Sequence, residues 1–218
     1  MSTDSNKIIQ SAAKAVLQKE GLFQKGASRI WIDDNGWYLT IIEFQPSGYA
    51  KGAYLNVAIH YLWKETDHFT FDYGGRIGDF KAFSGDTEQF LAEMTELAQT
   101  AIRQVREYRR FCDLKYAKKR ILNAKAANEI RELYNKLMIC GLCKDAAAQK
   151  YFRLLQKKRK SILYPWEQQI YEELERQIAS VIDNPQAMYS YIVEKIMRQR
   201  DFWRCKSGMN QMHEQIAL

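Results

Sequence analysis

The sequence predicts an α+β fold: an N-terminal helix, a four-stranded antiparallel meander sheet and a long helix, followed by an α-helical C-terminal region. Aromatic and β-branched runs separated by turn residues predict the strands in the first third of the chain. Apolar residues at spacings of three and four predict helices over the rest. We therefore expect an α+β domain over residues 1–112 and a basic helical region over residues 113–218, the alternative to two domains being that this region packs on the first as one unit. The composition, 46% hydrophobic and 27% charged, is typical of globular proteins and excludes a largely disordered chain.

The first helix is predicted by a capping residue, Asp4 or Ser5, followed by an apolar face. That face contains Ile8, Ile9, Ala12, Ala13, Val16 and Leu17. Gly21 ends the helix, because a residue without Cβ adopts the left-handed conformation of a helix C-terminus at little cost.

Four runs predict the strands of the sheet: Ser28–Asp33, Gly36–Gln45, Ala53–Trp63 and His68–Tyr73. Asn35-Gly36 indicates a two-residue hairpin of type I′, which needs positive φ at both central residues. Hairpin-length connections make the sheet antiparallel. We interpret the glycine-rich run 74–78 as a flexible connector; the alternative is a loop that cradles a phosphate.

A long helix begins near Asp86, and its apolar residues form a coiled-coil-like seam. The seam consists of Phe90, Met94, Leu97, Ala101, Val105 and Tyr108. Further helices are expected up to about Gly141, over 147–155, from Pro165, where apolar residues recur every four positions, and from Pro185, with Asn184 as its cap. The residues after Gly208 are expected to fray.

The run Ala15–Gly26 (AVLQKEGLFQKG) resembles the opening of the bacterial family called domain of unknown function 4304. The strand segments Ile41–Ser47 and Leu55–Val57 are similar to that family's apolar-Gln-x-Ser and x-Asn-Leu-Gly segments, although Ala58 stands where the family has its Gly. The resemblance covers about residues 10–110. It implies the same helix–four-strand–helix arrangement, and it implies no agreed activity or catalytic residue.

Positive charge is concentrated in the later part of the chain. Residues 1–85 carry no net charge, whereas residues 86–218 carry the whole excess of +7. Such asymmetry favours a polyanionic partner, but it also fits helices that neutralise one another. The candidate polyanion-binding residues, on basic helices around 103–125 and 150–160, are Arg103, Arg106, Arg109, Arg110, Lys118, Lys119, Arg120, Lys157, Lys158 and Arg159. A further basic run spans Lys195 to Lys206.

A protein-interaction surface is the preferred interpretation, by a small margin over nucleic-acid binding. Trp37, Tyr49 and Tyr54 are expected to be exposed, and aromatic residues are enriched at interfaces. A mixed sheet face supplies the remaining candidates. The complete candidate interaction surface is Trp37, Glu43, Tyr54, Asn56, His60, His68 and Asp72. Binding of the basic helices to a membrane surface is a weaker alternative.

Catalytic motifs are absent from the sequence: it has no Gly-x-Ser-x-Gly, Walker or His-Glu-x-x-His pattern. A metal-dependent hydrolase that uses His60 and His68 with nearby carboxylates is the weakest alternative. We therefore predict a non-enzymatic binding protein without a cofactor.

The four cysteines include the motif Cys140-Gly141-Leu142-Cys143, which is a redox pair, half of a zinc site, or two inert thiols. It follows an apolar helical pattern, which favours inert thiols, as do the isolated positions of Cys112 and Cys205. No secretory signal or membrane-spanning run is visible, so a cytoplasmic location is expected.

Overall fold

The computed structural model describes residues 4–125, 128–159 and 164–203. The chain forms two compact units, and the described residues divide between them. The first unit comprises residues 4–61 and 66–110, and the second comprises residues 62–65 and 111–203. The predictions for Cys205, for the end of the basic run at Lys206 and for the residues after Gly208 concern positions outside the described residues.

The first unit contains a five-stranded antiparallel sheet, so the predicted α+β class and antiparallel sheet are confirmed. Its strands are β1 (Phe23–Gln24), β2 (Ile30–Asp34), β3 (Tyr38–Gln45), β4 (Gly52–Tyr61) and β5 (Tyr73–Ala82), and they pair in that order. The predicted number of strands was four. The additional strand, β1, has only two residues, too few for an alternating pattern to be recognised in the sequence.

The predicted fourth strand, His68–Tyr73, is wrong, because nearly all of that run lies in the loop before β5. The glycine-rich run 74–78, predicted to be a connector, is part of β5 instead. Gly74 adopts φ +91°, and a Cβ there would collide with the Tyr108 hydroxyl group. Glycine is therefore required by close packing within a strand, a role that sequence alone does not distinguish from flexibility.

The predicted hairpin between β2 and β3 is confirmed, but its turn type is not. The connection runs over Asn35–Trp37, and only Gly36, at φ +82°, has positive φ. A type I′ turn would need positive φ at Asn35 as well. The Asn35 side chain instead donates a hydrogen bond to Asp33 Oδ2 (2.9 Å), which helps to fix the wider turn.

Two helices pack together and contact the sheet: α1 (Asp4–Leu17) and α2 (Thr87–Arg109). A 3₁₀ turn extends α1 to Gly21, whose φ of +86° confirms the predicted end. Asp86 caps α2, its Oδ1 accepting from two backbone N–H groups at 3.0 Å. All six residues of the predicted seam are buried, which places the core of this unit between α2 and the sheet.

The second unit is helical, as predicted. Its α-helices are α3 (Leu114–Asn123), α4 (Glu129–Leu142), α5 (Ala147–Lys157), α6 (Pro165–Glu173), α7 (Ala179–Val181) and α8 (Pro185–Trp203). Asn184 accepts hydrogen bonds from two backbone N–H groups in the first turn of α8, as its predicted capping role requires. A π-helical segment, Leu174–Ile178, follows α6 and interrupts the regular four-residue spacing that the sequence predicted.

Gly141 allows α4 and α8 to pack closely. A Cβ at Gly141 would lie 2.6 Å from Ile192 Cδ1 and 2.8 Å from Met188 Cγ, closer than carbon atoms approach one another. The glycine of the Cys-x-x-Cys motif is thus explained by helix packing. No helix in the part of the chain that the structure describes combines the length and the apolarity needed to cross a bilayer.

Candidate functional site

The open edge of the first unit's sheet is β5, a strand of ten residues. None of these residues is buried, whereas nine of the ten residues of β4 next to it are. Among the residues that the structure describes, no other strand pairs with the outer side of β5. The opposite edge, β1, is only two residues long. An uncovered edge strand presents backbone N–H and C=O groups that a further strand can pair with.

A group of polar and aromatic side chains lies on β3, β4 and β5 at this edge, on the sheet face where Asn56 and Arg76 are paired neighbours. We call this group the Arg76 cluster. It consists of Glu43, Gln45, Tyr54, Asn56, Arg76 and Phe80. Three of them, Glu43, Tyr54 and Asn56, belong to the predicted interaction surface. The other three were missed, because Arg76 and Phe80 lie in and just beyond a run read as a connector.

Hydrogen bonds and ring contacts fix the Arg76 cluster. The Asn56 amide donates to Glu43 Oε2 (2.8 Å) and Gln45 Oε1 (2.9 Å), and Arg76 Nη2 donates to the same Gln45 oxygen at 2.7 Å. The Arg76 guanidinium lies 3.9 Å from the centre of the Tyr54 ring. Arg76 is exposed, so its other donors face solvent. The cluster is a preorganised cationic and aromatic surface beside an open strand edge.

The structure corrects the predicted exposure of several surface residues. Trp37 is fully buried, its ring stacked on Tyr61 at 5.7 Å, because the hairpin that carries it folds into the core. Asn56 is only 3% exposed and His60 is not exposed at all. None of these three side chains is available to a partner in this structure. Tyr49, by contrast, is fully exposed, as expected.

His60 has a structural role in the first unit. The Thr70 backbone N–H donates to His60 Nδ1 (3.2 Å), and Thr70 Oγ1 lies 3.0 Å from the same nitrogen. Thr70 also donates to Asp72 Oδ2 (2.8 Å), which accepts from the backbone N–H of Tyr61. The side chains of His60 and Asp72 are both inaccessible to solvent. These bonds hold the segment before β5 against the end of β4.

The predicted metal site at His60 and His68 is not assembled. His68 is exposed and pairs with its neighbour Asp67 (2.9 Å), whereas His60 pairs with Thr70. Over residues 4–125, 128–159 and 164–203, no three His, Cys, Asp or Glu residues form a group suited to a metal ion. The geometry therefore gives no support to the hydrolase alternative.

Most of the predicted polyanion-binding arginines in and just after α2 contact acidic groups within the fold. Arg109 forms a bidentate pair with Asp33, and that hydrogen bond raises the pKa of its guanidinium. Arg106 pairs with Glu20 (2.7 Å), and Arg110 pairs with Glu107 (3.0 Å). Arg103, in contrast, donates to the Thr100 hydroxyl group at 2.7 Å.

The predicted basic residues of the second unit also divide into two groups. Lys118 pairs with Asp145 (2.9 Å), Lys158 pairs with Glu129 (2.8 Å), and Arg159 pairs with Glu175. The Arg159–Glu175 pair is an example of neutralisation between elements of the second unit. Lys119, Arg120 and Lys157 are exposed. For Lys119 and Lys157, no carboxylate of the described residues lies within 4.0 Å.

An uncompensated basic stripe runs along α5 and extends beyond the predicted candidates. Lys150, Arg153 and Lys157 are all exposed, and α5 contains no acidic residue. The opposite side of the helix is buried through Ala148, Phe152 and Leu155. We call Lys150, Arg153 and Lys157 the α5 stripe. The sequence placed its members in one basic run, but their common face follows only from the helix bounds.

The two cysteines of the Cys-x-x-Cys motif form the end of α4. Cys140 is fully buried and Cys143 is half-buried. Burial raises the pKa of the Cys140 thiol to about 12 and that of Cys143 to about 11. Both groups are therefore protonated thiols near neutral pH, unlike redox cysteines, which have lowered pKa values.

A buried network in the second unit was not predicted from the sequence. Lys195, the first residue of the basic run that the sequence shows up to Lys206, is 2% exposed and bridges Glu173 (2.8 Å) and Glu65 (3.2 Å). Tyr134 and Tyr191 donate to Glu173, and burial together with this carboxylate raises the pKa of both tyrosines. Each of these side chains has a partner within the network, so we interpret the network as a structural feature of the second unit.

No family model, curated protein or solved structure matches this chain. The resemblance of residues 10–110 to domain of unknown function 4304 stays a prediction. The features of the described residues that bear on function are the open strand edge, the Arg76 cluster and the α5 stripe.

Proposed function

We propose that this protein is a non-enzymatic protein-binding module that takes an extended segment of its partner as an additional strand along β5. The open ten-residue edge is the observation that carries this proposal. Main-chain hydrogen bonds along such an edge provide affinity, and side chains on alternate positions of the added strand provide specificity.

Two glycines of β5 support access by another backbone. A Cβ at Gly75 or Gly78 would meet no atom within 4 Å, so neither residue is shielded from that side by packing. Glycine in a strand is a common feature where a second backbone approaches closely. The same residues also adopt positive φ, which explains why the strand is irregular here.

The Arg76 cluster indicates the chemistry of the added strand. Residues of the added strand that point to the cluster side of the sheet would lie beside Arg76, Tyr54 and Phe80. An acidic side chain suits the exposed guanidinium, and an aromatic or aliphatic side chain suits the two half-buried rings. We therefore expect a partner segment in which an acidic and an apolar residue lie two positions apart, because residues at i and i+2 share one face of a strand.

Peptides selected from a random twelve-residue library on the purified protein test this proposal. The best peptide is then made in two N-methylated forms, each methylated at one set of alternate amides. Only one set of amides in an added strand faces β5. We expect that set to abolish binding when methylated and the other set to leave the Kd within about threefold, which is under 1 kcal/mol.

Two protein variants locate the peptide. Arg76→Glu is expected to weaken binding at least tenfold, because it places a carboxylate against the acidic residue of the peptide. Leu91→Ala is the matched control, since Leu91 is exposed on α2 and belongs to neither β5 nor the Arg76 cluster. Equal loss in both methylated peptides, or equal loss in both variants, would contradict strand addition at β5.

A further inference from the structure

We infer that the α5 stripe of the second unit, Lys150, Arg153 and Lys157, is a contact surface for the phosphate backbone of a nucleic acid. The α5 stripe and β5 belong to different units, and the inference stands whether or not β5 binds a peptide.

The positions of the three cations within α5 support contact with a phosphate backbone. Spacings of three and four residues place them on one helical face, and seven residues span about 10 Å along the axis. A stripe of this length allows its three long side chains to contact neighbouring phosphates of one strand. Phe152 and Leu155 are buried on the opposite face, which orients the stripe toward solvent.

The charge balance around the three cations of the α5 stripe also supports the inference. The paired cations Lys158 and Arg159, just beyond α5, contact Glu129 and Glu175. In the ranges that the structure describes, no carboxylate lies within 4.0 Å of Lys150, Arg153 or Lys157. The stripe therefore keeps three positive charges that its own fold does not neutralise, which complements a polyanion.

The residue types of the stripe favour contact with phosphates over reading of bases. Arginine binds phosphate with two parallel hydrogen bonds, and lysine binds it as a point charge. Tyr151 is half-buried beside Lys150, so no exposed aromatic ring on the stripe is placed to stack on bases. We expect binding that depends weakly on nucleotide sequence and strongly on salt.

Fluorescence anisotropy of the full chain with labelled 20-nucleotide single-stranded DNA, single-stranded RNA and 20-base-pair DNA tests this inference. Three phosphate contacts on a duplex predict a salt slope of about −2.7, which is a loss of about 40-fold between 50 and 200 mM salt. On a single strand the expected loss is about 20-fold. The triple variant Lys150→Gln/Arg153→Gln/Lys157→Gln should lose this part of the slope.

A charge-matched control comes from the other unit. Lys7→Gln/Lys14→Gln/Lys19→Gln removes the same number of positive charges from exposed positions in and just after α1. It should retain the salt slope of the unaltered chain. Circular dichroism confirms folding of both variants.

Three results would overturn the inference: no binding at 50 mM salt, equal losses in the two triple variants, or binding to poly-glutamate as tight as to nucleic acid. The last result would instead assign the stripe to an acidic protein segment.

Discussion

Arg109 and Asp33 form a bidentate ion pair that connects α2 to β2. Arg109 Nη2 lies 2.7 Å from Asp33 Oδ1, and Arg109 Nε lies 3.1 Å from Asp33 Oδ2. Arg109 also donates to the backbone oxygen of Glu20 at 2.9 Å. An arginine that the sequence assigns to a polyanion site thus belongs to the internal structure of the first unit.

Arg109→Gln is expected to lower the free energy of unfolding by about 2 kcal/mol. Asp33 is 6% exposed, and the substitution removes the charged group that donates hydrogen bonds to its carboxylate. Arg106→Gln is the control, since the Arg106–Glu20 pair is exposed and pairs of that kind contribute less than about 1 kcal/mol. Urea unfolding measures both changes. Equal effects would show that Asp33 does not depend on Arg109.

Gly141→Ala is expected to destabilise the protein by about 1–2 kcal/mol through overpacking of α4 against Ile192 and Met188. The loss should be net, since alanine gains about 1 kcal/mol over glycine in a helix. Thermal unfolding measures it, and Gly48→Ala is the control because nothing lies within 4 Å of its Cβ position. A stabilised Gly141→Ala variant would contradict the close packing.

Alkylation of Cys143 is expected to be slow in the folded protein. A thiol with a pKa of about 11 has about 100-fold less thiolate at pH 8 than one at the ordinary value of 9.0. Iodoacetamide labelling followed by mass spectrometry, in native and denatured protein, gives the ratio of rates. Native labelling as fast as in the denatured chain would reopen a redox or metal role for the motif.

Glu65 is expected to contribute stability that is lost in acid. Partial burial alone would raise its pKa, but the charge of Lys195 and the hydrogen bonds from Arg198 and Lys195 lower it below 4.5. Since the folded pKa is the lower one, the contribution is complete above pH 4.5 and disappears as the pH falls through the folded value. Glu65→Gln should flatten the decline in unfolding free energy between about pH 5 and 3. A decline as steep as in the unaltered chain would exclude this role.

Helix and strand positions with strong periodicity were predictable, because their signal is local. The seam from Phe90 to Tyr108, the start of α2 near Asp86 and the cap at Asn184 all occur as the sequence indicates. Strand β5 was not predictable, since three glycines with positive φ break its alternating pattern. Their conformation depends on contacts such as that between Gly74 and Tyr108, which are distant in sequence.

The sequence also did not show which charged residues form ion pairs in the folded protein. In the sequence, nothing distinguishes the paired residues Arg109, Lys118 and Lys195 from Lys150 and Lys157, since all of them are basic residues in helical segments. Whether a cation is neutralised depends on a carboxylate brought near by folding, as Asp33 is for Arg109 and Glu173 is for Lys195. The α5 stripe could be recognised only after those pairs were assigned.

Hydrogen exchange of the β5 amides, with and without the selected peptide, tests strand addition most directly. The outward-facing amides of residues 73–82 should exchange rapidly in the free protein and slow at least tenfold when the peptide is bound, because each gains a backbone acceptor. The amides of β4 should be unchanged. Binding that leaves the exchange of β5 unaltered, or that protects a different element, would contradict the proposed function.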